Sequence, residues 1–285
     1  MDSAATTSCC TELAAARTRL SADAVDAVQP CGRCAARACG VCGGVAAPDL
    51  PRLAALATIA NVPRGQTFIH EGAPAEHFCV LIQGSAKLYK LLPDGRRQIV
   101  GFVYAGSFLG VSAPETYAFS AEALESTRVC RLSRRGLLRL LSDSHAMEQR
   151  LLDVAVNKLR LAQEHMVLLG RKTTIERVAS FLLFQAKRPQ PRGVLPPRIH
   201  LPMSRIDIAD YLGVTVETVC RSLAKLAKSG VIAIPNVHEV VILDLAYLES
   251  TARGASPERS LRLVRPADDF PARMMGGAFH PKIGS

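Results

Sequence analysis

The stretch from Ser204 to Gly230 leaves the chain little choice of local structure, and therefore little choice of fold. Ser204 and Asp207 have the spacing of a capping box. A hydroxyl closes the first free N–H groups of a helix, and a carboxylate three residues later reaches back. That helix carries Ile208, Ala209 and Leu212 and breaks at Gly213-Val214. Thr215 then caps a second helix ending at Gly230, which suits the left-handed residue that terminates helices. Val219, Leu223 and Leu226, at i, i+4 and i+7, form one apolar face. Helix, short glycine-containing turn and capped helix predict a helix-turn-helix.

The opposite face of the second helix carries Glu217, Cys220, Arg221, Lys225 and Lys228, with Thr215 and Thr218 at its start. Glu217 and Arg221 are four apart and point the same way, near the end that a recognition helix offers to base edges. Arginine can fork onto guanine O6 and N7, and glutamate can accept from cytosine N4. Lys225 and Lys228 are placed to neutralise phosphates, which gives affinity without sequence preference. An isolated Glu–Arg pair at this spacing is worth only about 0.2–0.5 kcal/mol, so the pair alone decides nothing. The DNA-reading assignment rests on caps, turn, apolar face and a formal net charge of +10 taken together. Beyond Gly230, Val231 to Leu243 reads as two strands about a Pro235-Asn236 turn, the form of a wing.

Upstream the period changes. From about Leu53 to Ser133, short apolar runs such as Phe78–Ile82 and Gln98–Val103 are separated by turns at Gly72, Gly84 and Gly106. Pro93-Asp94-Gly95 predicts a hairpin between Lys87–Tyr89 and Ile99-Val100. Many short strands of this kind predict a β-roll or jelly roll. A helix from about Ala146 to Leu169 then carries Leu152, Ala155, Leu159, Ala162, Met166 and Leu169 at alternating spacings of three and four. Flanked by Lys158, Arg160, Gln163, Glu164 and His165, that narrow stripe predicts a dimer seam. The class expected is α+β: arm 1–50, β-roll 51–145, dimerisation helix 146–170, winged helix-turn-helix 171–250 and flexible tail 251–285.

The arm packs four thiols into one short run, Cys31-Gly-Arg-Cys34-Ala-Ala-Arg-Ala-Cys39-Gly-Val-Cys42. Thiolates are soft ligands, suited to iron–sulfur clusters or zinc. Met1 to Ser8 lacks the basic start and apolar run of a secretory signal, and no stretch nears ~18 apolar residues. The expected compartment is the cytoplasm, where nine cysteines point away from a disulfide framework.

This order of parts resembles the FNR branch of the cyclic-AMP receptor protein family, over roughly residues 30–250. The most specific match is Asp207-Ile-Ala-Asp-Tyr-Leu-Gly-Val-Thr-Val-Glu-Thr-Val-Cys-Arg221, with His70-Glu-Gly-Ala, Val80-Leu-Ile-Gln-Gly-Ser-Ala-Lys-Leu and Met166-Val-Leu-Leu-Gly in support. The family's Glu-x-x-Ser-Arg reading motif is matched by Glu217 and Arg221, with Cys220 replacing serine. The resemblance implies an oxygen-responsive homodimeric activator in which an oxygen-labile [4Fe–4S] cluster controls binding to a TTGAT-type inverted repeat, with RNA polymerase as a further partner. Its rhizobial subgroup spaces three ligands C-x2-C-x7-C. That implies Cys31, Cys34 and Cys42, completed by Cys130 of the roll, with Cys39 as the alternative third ligand. Cys9, Cys10 and Cys79 are then bystanders.

Two rival readings fit the same residues: a zinc-ordered site on the same thiols, or a haem sensor using His70 or His77. No second cluster motif, phosphate-binding glycine loop or acid–base pair near the thiols suggests an enzyme. Cyclic-nucleotide pockets of the family need a cation for the cyclic phosphate. Here Gly106-Ser-Phe-Leu-Gly110 is followed by no Arg or Lys from Val111 to Thr127, which argues against such a ligand.

Overall fold

The computed structural model describes residues 31–111, 115–188 and 198–254. The expectations for Cys9, Cys10 and most of the tail lie outside those residues. Three short 3-10 turns open the described chain, at Ala35–Cys39, Val41–Gly44 and Ala47–Asp49. Turns this short have few backbone bonds of their own, and burial holds them. Cys31, Ala36, Val41, Val45 and Leu50 pack into one core with Phe78, Val80 and Cys130 of the roll.

α1 (Leu50–Ala55) follows, so the roll begins later than the expected Leu53. Pro51 explains the difference, because its fixed φ and missing N–H cost nothing in a helix's first turn. The strands are β1 (Ala57–Val62), β2 (Thr67–Ile69), β3 (His77–Gln83), β4 (Ser85–Leu91), β5 (Arg97–Tyr104), β6 (Phe108–Leu109), β7 (Ser120–Ala123) and β8 (Thr127–Ser133). They form two antiparallel sheets, ordered β1-β8-β3-β6 and β2-β7-β4-β5. The expected β4–β5 hairpin is present. Gly95 sits at φ +83°, and the Asp94 carboxylate accepts from the Arg96 N–H at 3.0 Å.

α2 (Arg134–Ser142) is a helix inside the stretch assigned to the roll; Ser133 caps it, and Leu137, Leu140 and Leu141 are buried. α3 (His145–Arg171) is the long helix, capped by Ser144. The C-terminal unit comprises α4 (Thr174–Ala186), β9 (Arg198–His200), α5 (Arg205–Leu212), α6 (Val216–Lys228), β10 (Ile232–Asn236), β11 (Glu239–Ile242) and α7 (Leu245–Ala252). The wing is three-stranded, in the order β10-β11-β9. Its turn lies at Val237-His238 and not at Pro235-Asn236, because Pro235 is absorbed in a register irregularity of β10. Asn236 closes the turn by accepting from the His238 N–H at 2.9 Å.

Roll and C-terminal unit share a core. Ile99, Phe102 and Leu124 of the roll join Leu168 of α3 and the buried faces of α4, α5 and α6. No helix among the described residues is long and apolar enough to cross a membrane.

Candidate nucleic-acid interface and candidate metal centre

The reading helix is built as its caps dictate. Gly213 takes a left-handed φ of +63° to end α5, and the Thr215 hydroxyl accepts from the Thr218 N–H at 3.3 Å to start α6. Val219, Leu223 and Leu226 are buried. Glu217, Cys220, Arg221, Lys225 and Lys228 are exposed together, with Thr218 half-buried beside them. Arg221 reaches back to the Thr218 hydroxyl at 3.4 Å, which leaves most of its guanidinium fork free for a partner. The backbone N–H of Glu217 and the Thr215 hydroxyl hold the Glu217 carboxyl below the usual range. At neutral pH that side chain can only accept hydrogen bonds.

An ion cluster that sequence reasoning missed ties this unit to the roll. One Asp207 oxygen accepts from Lys87 Nζ and from Arg97 Nη2, each at 2.9 Å. The other accepts from the Ser204 N–H at 3.0 Å and hydroxyl at 2.7 Å. Lys87 also meets Glu122 at 2.9 Å, and Arg97 meets Asp210 at 2.8 Å. Lys87 and Asp207 side chains are each 7% exposed. Burial pushes the Asp207 carboxyl up, but hydrogen bonds from Ser204 and Lys87 outweigh it and hold the group below its usual range. Beside the cluster, Tyr211 of α5 stacks on His165 of α3 at 4.2 Å and tilts against Phe102 at 5.3 Å.

The thiols come together by strand alternation. In β8, Cys130 and Leu132 face the core that holds the arm, whereas Val129 faces the interior of the roll with Cys79. Cys130 is cross-strand partner to Val80. Cys31 is buried, and Cys34 and Cys42 are half-buried against the same core. Burial, then the neighbouring Cys31 and Cys34, pushes the Cys42 thiol up to about 12. Cys130 is likewise pushed up to about 12, by burial and then by Cys42, Cys31 and Cys34. Four soft donors thus border one core, near enough to raise one another's pKa, and Arg37 supplies a positive charge to Cys31 and Cys42. Such a donor set fits a thiophilic metal, which would keep the thiolates deprotonated. Among the described residues no three such donors converge on a single-ion position. The Cys39 side chain lies outside the described residues. His70 is exposed, and His77 is half-buried in β3.

The long helix leaves an apolar stripe uncovered. Leu152, Leu159 and Met166 are 58%, 58% and 67% exposed, with Ala162 exposed beside them and Ala155 half-buried. Val156 and Val167, outside the expected stripe, are equally open. Leu169 turns inward and packs against the C-terminal core. Lys158 lines a cavity of about 1040 Å³ between the roll, α3 and the C-terminal unit, and donates to the Phe108 carbonyl at 2.6 Å.

Comparison with known proteins places residues 59–144 in the cyclic nucleotide-binding domain family and residues 176–251 in the Crp-like helix-turn-helix domain family. The chain is 41% identical over 189 residues to the nitrogen fixation regulation protein FixK of Bradyrhizobium diazoefficiens, covering 66% of this chain and 79% of that protein. It is 35% identical over 188 residues to the transcriptional activator protein FnrL of Cereibacter sphaeroides, covering 65% of this chain and 76% of that one. The solved structure of FixK2 from Bradyrhizobium japonicum matches with a TM-score of 0.66 and 35% identity, covering 70% of this chain and 99% of that one.

Proposed function

Because this chain belongs to the CRP/FNR family of transcription regulators, we propose that it reads operator DNA as a homodimer under the control of an oxygen-labile iron–sulfur centre. The observation that carries the reading is the gathering of Cys31, Cys34 and Cys42 of the arm with Cys130 of β8, beside the start of α3. A [4Fe–4S] cluster, when bound, supplies a cross-link among those sulfurs that oxygen destroys. Cys130 anchors it to the roll, and the other three fasten the arm. Val41, Val45 and Met147 then pack the arm against the first turn of α3. The seam through Leu152, Leu159 and Met166 pairs with a second copy, and two α6 helices address half-sites about 34 Å apart. The protein acts in the cytoplasm on TTGAT-type inverted repeats, with RNA polymerase, to switch genes of low-oxygen metabolism. Lys158 is committed to the Phe108 carbonyl, and residues 111–127 hold no cation, so the roll serves as scaffold and not as nucleotide receptor.

Anaerobic purification followed by an iron and sulfide assay tests the reading: about four of each per chain are expected. Zinc in their place, in a colourless protein, would overturn it.

Arg221→Ala is expected to weaken operator binding by about 1–3 kcal/mol, roughly 5–150-fold, and to relax preference at one base pair. Lys225→Ala should instead weaken all sequences alike and lower the salt slope by about one. Fluorescence anisotropy at several salt concentrations separates the two. Leu159→Glu puts a charge into the seam and should leave a folded monomer in sedimentation experiments.

A further inference from the structure

The thiol centre and the dimer helix meet at one backbone contact. Gly44 closes the 3-10 turn that begins at Val41 and carries Cys42. A Cβ on Gly44 would stand 2.7 Å from the carbonyl oxygen of Ala146, 3.0 Å from its carbonyl carbon and 3.0 Å from Cα of Met147. All three are backbone atoms in the first turn of α3, so no side-chain rotation relieves the overlap. The φ of Gly44 is outside the left-handed region, so the contact and not the conformation calls for glycine. Its neighbour Gly43 is tight in a different place: a Cβ there would stand 3.0 Å from the Arg37 carbonyl oxygen and 3.5 Å from that of Ala38, both inside the arm and not on α3.

What Gly44 touches is firmly placed. Met147 is fully buried in the core that holds Cys31, Val41, Val45 and Cys130, and the Ser144 hydroxyl accepts from its N–H at 3.4 Å. Ala146 lies six residues before Leu152, where the open apolar stripe begins. A 27-residue helix is about 40 Å long, so a small tilt at its first turn moves the far end of the seam by much more.

The geometry points to Gly44 as the positioning residue through which the thiol-bearing arm seats the dimer helix. This inference rests on the thiol-centre reading above and adds the residue that transmits it. With the arm fastened, the Cys42 turn is a stop lying directly on the backbone of Ala146 and Met147. A methyl group at position 44 holds arm and helix apart while leaving all four cysteines in place.

The test compares full-length wild type, Gly44→Ala and Gly43→Ala, purified anaerobically. Iron and sulfide per chain, the dimer dissociation constant from sedimentation, and operator affinity are measured on each. Gly44→Ala is expected to keep its iron and sulfide, raise the dimer dissociation constant at least tenfold, and lose operator affinity in step. Gly43→Ala, at equal metal content, is expected to dimerise as wild type does. Wild-type dimerisation by Gly44→Ala overturns the inference. So does iron lost in proportion to dimer, because Gly44 would then merely help build the thiol site. Should Gly44→Ala not fold, Ser144→Ala loosens the same turn without added bulk. It is expected to retain iron with a weakened dimer, and unchanged dimerisation contradicts the proposal. If wild type itself holds no iron, the thiol-centre reading fails; a weaker Gly44→Ala dimer would still establish the contact.

Discussion

Cys130→Ala is expected to abolish iron retention in protein purified without air and to reduce operator affinity to the non-specific level, a loss of about 10³-fold or more. The effect is large because of where the four sulfurs come from. Cys31, Cys34 and Cys42 lie close together on one short arm, whereas Cys130 belongs to β8, a strand paired on both sides within the roll. Without it the arm keeps three donors but is no longer fastened to the rest of the molecule. The substitution itself is mild, since removing one buried sulfur leaves a small cavity costing about 1 kcal/mol. Cys79→Ala is the matched control: Cys79 is as deeply buried, on the neighbouring strand, but faces the other side of the sheet. It should retain both iron and operator binding. Iron assay and gel shift on the two variants decide the matter.

Asp207→Ala is expected to destabilise the protein by about 2–4 kcal/mol, seen as a lower denaturation midpoint. The change leaves Lys87, only 7% exposed, with Glu122 as its remaining carboxylate, and removes one of the two acceptors of Arg97. It also removes the carboxylate half of the capping box that starts α5. Asp207→Asn keeps an acceptor for the cap but loses the charge, so it should cost less than alanine. The Asp207 pKa is lowered in the folded protein from its ordinary value of 3.8. A lowered carboxylate contributes fully above that value, and the contribution is lost as pH falls through the folded pKa. The stability gap between wild type and Asp207→Asn should therefore be constant near neutrality and close only below about pH 4.

What was legible in the sequence was local. The capping residues Ser204 and Thr215, the glycines at 213 and 230 and the buried trio Val219, Leu223 and Leu226 lie within one short segment, and the helices formed there as read. The β4–β5 hairpin was equally plain, because Asp94 and Gly95 specify its turn. The ion cluster was invisible for the opposite reason: Lys87 and Asp207 are 120 residues apart, and nothing near Lys87 marks it as buried. The wing's turn was misplaced because Pro235 and Asn236 have turn chemistry, yet a β-bulge absorbs the proline. α2 went unseen among strands, though Ser133 caps it. For the thiols, spacing suggested a metal, and resemblance alone singled out Cys130. Strand alternation explains why it, and not Cys79, faces the arm.

The most direct trial of the oxygen switch uses one anaerobic sample, titrated against a TTGAT-type inverted repeat and sedimented, then opened to air and measured again. A brown dimer with specific binding is expected before exposure, and a colourless monomer with only salt-sensitive, non-specific binding after it. Equal operator affinity and an unchanged dimer in air, or a sample without iron at the outset, would contradict the switch.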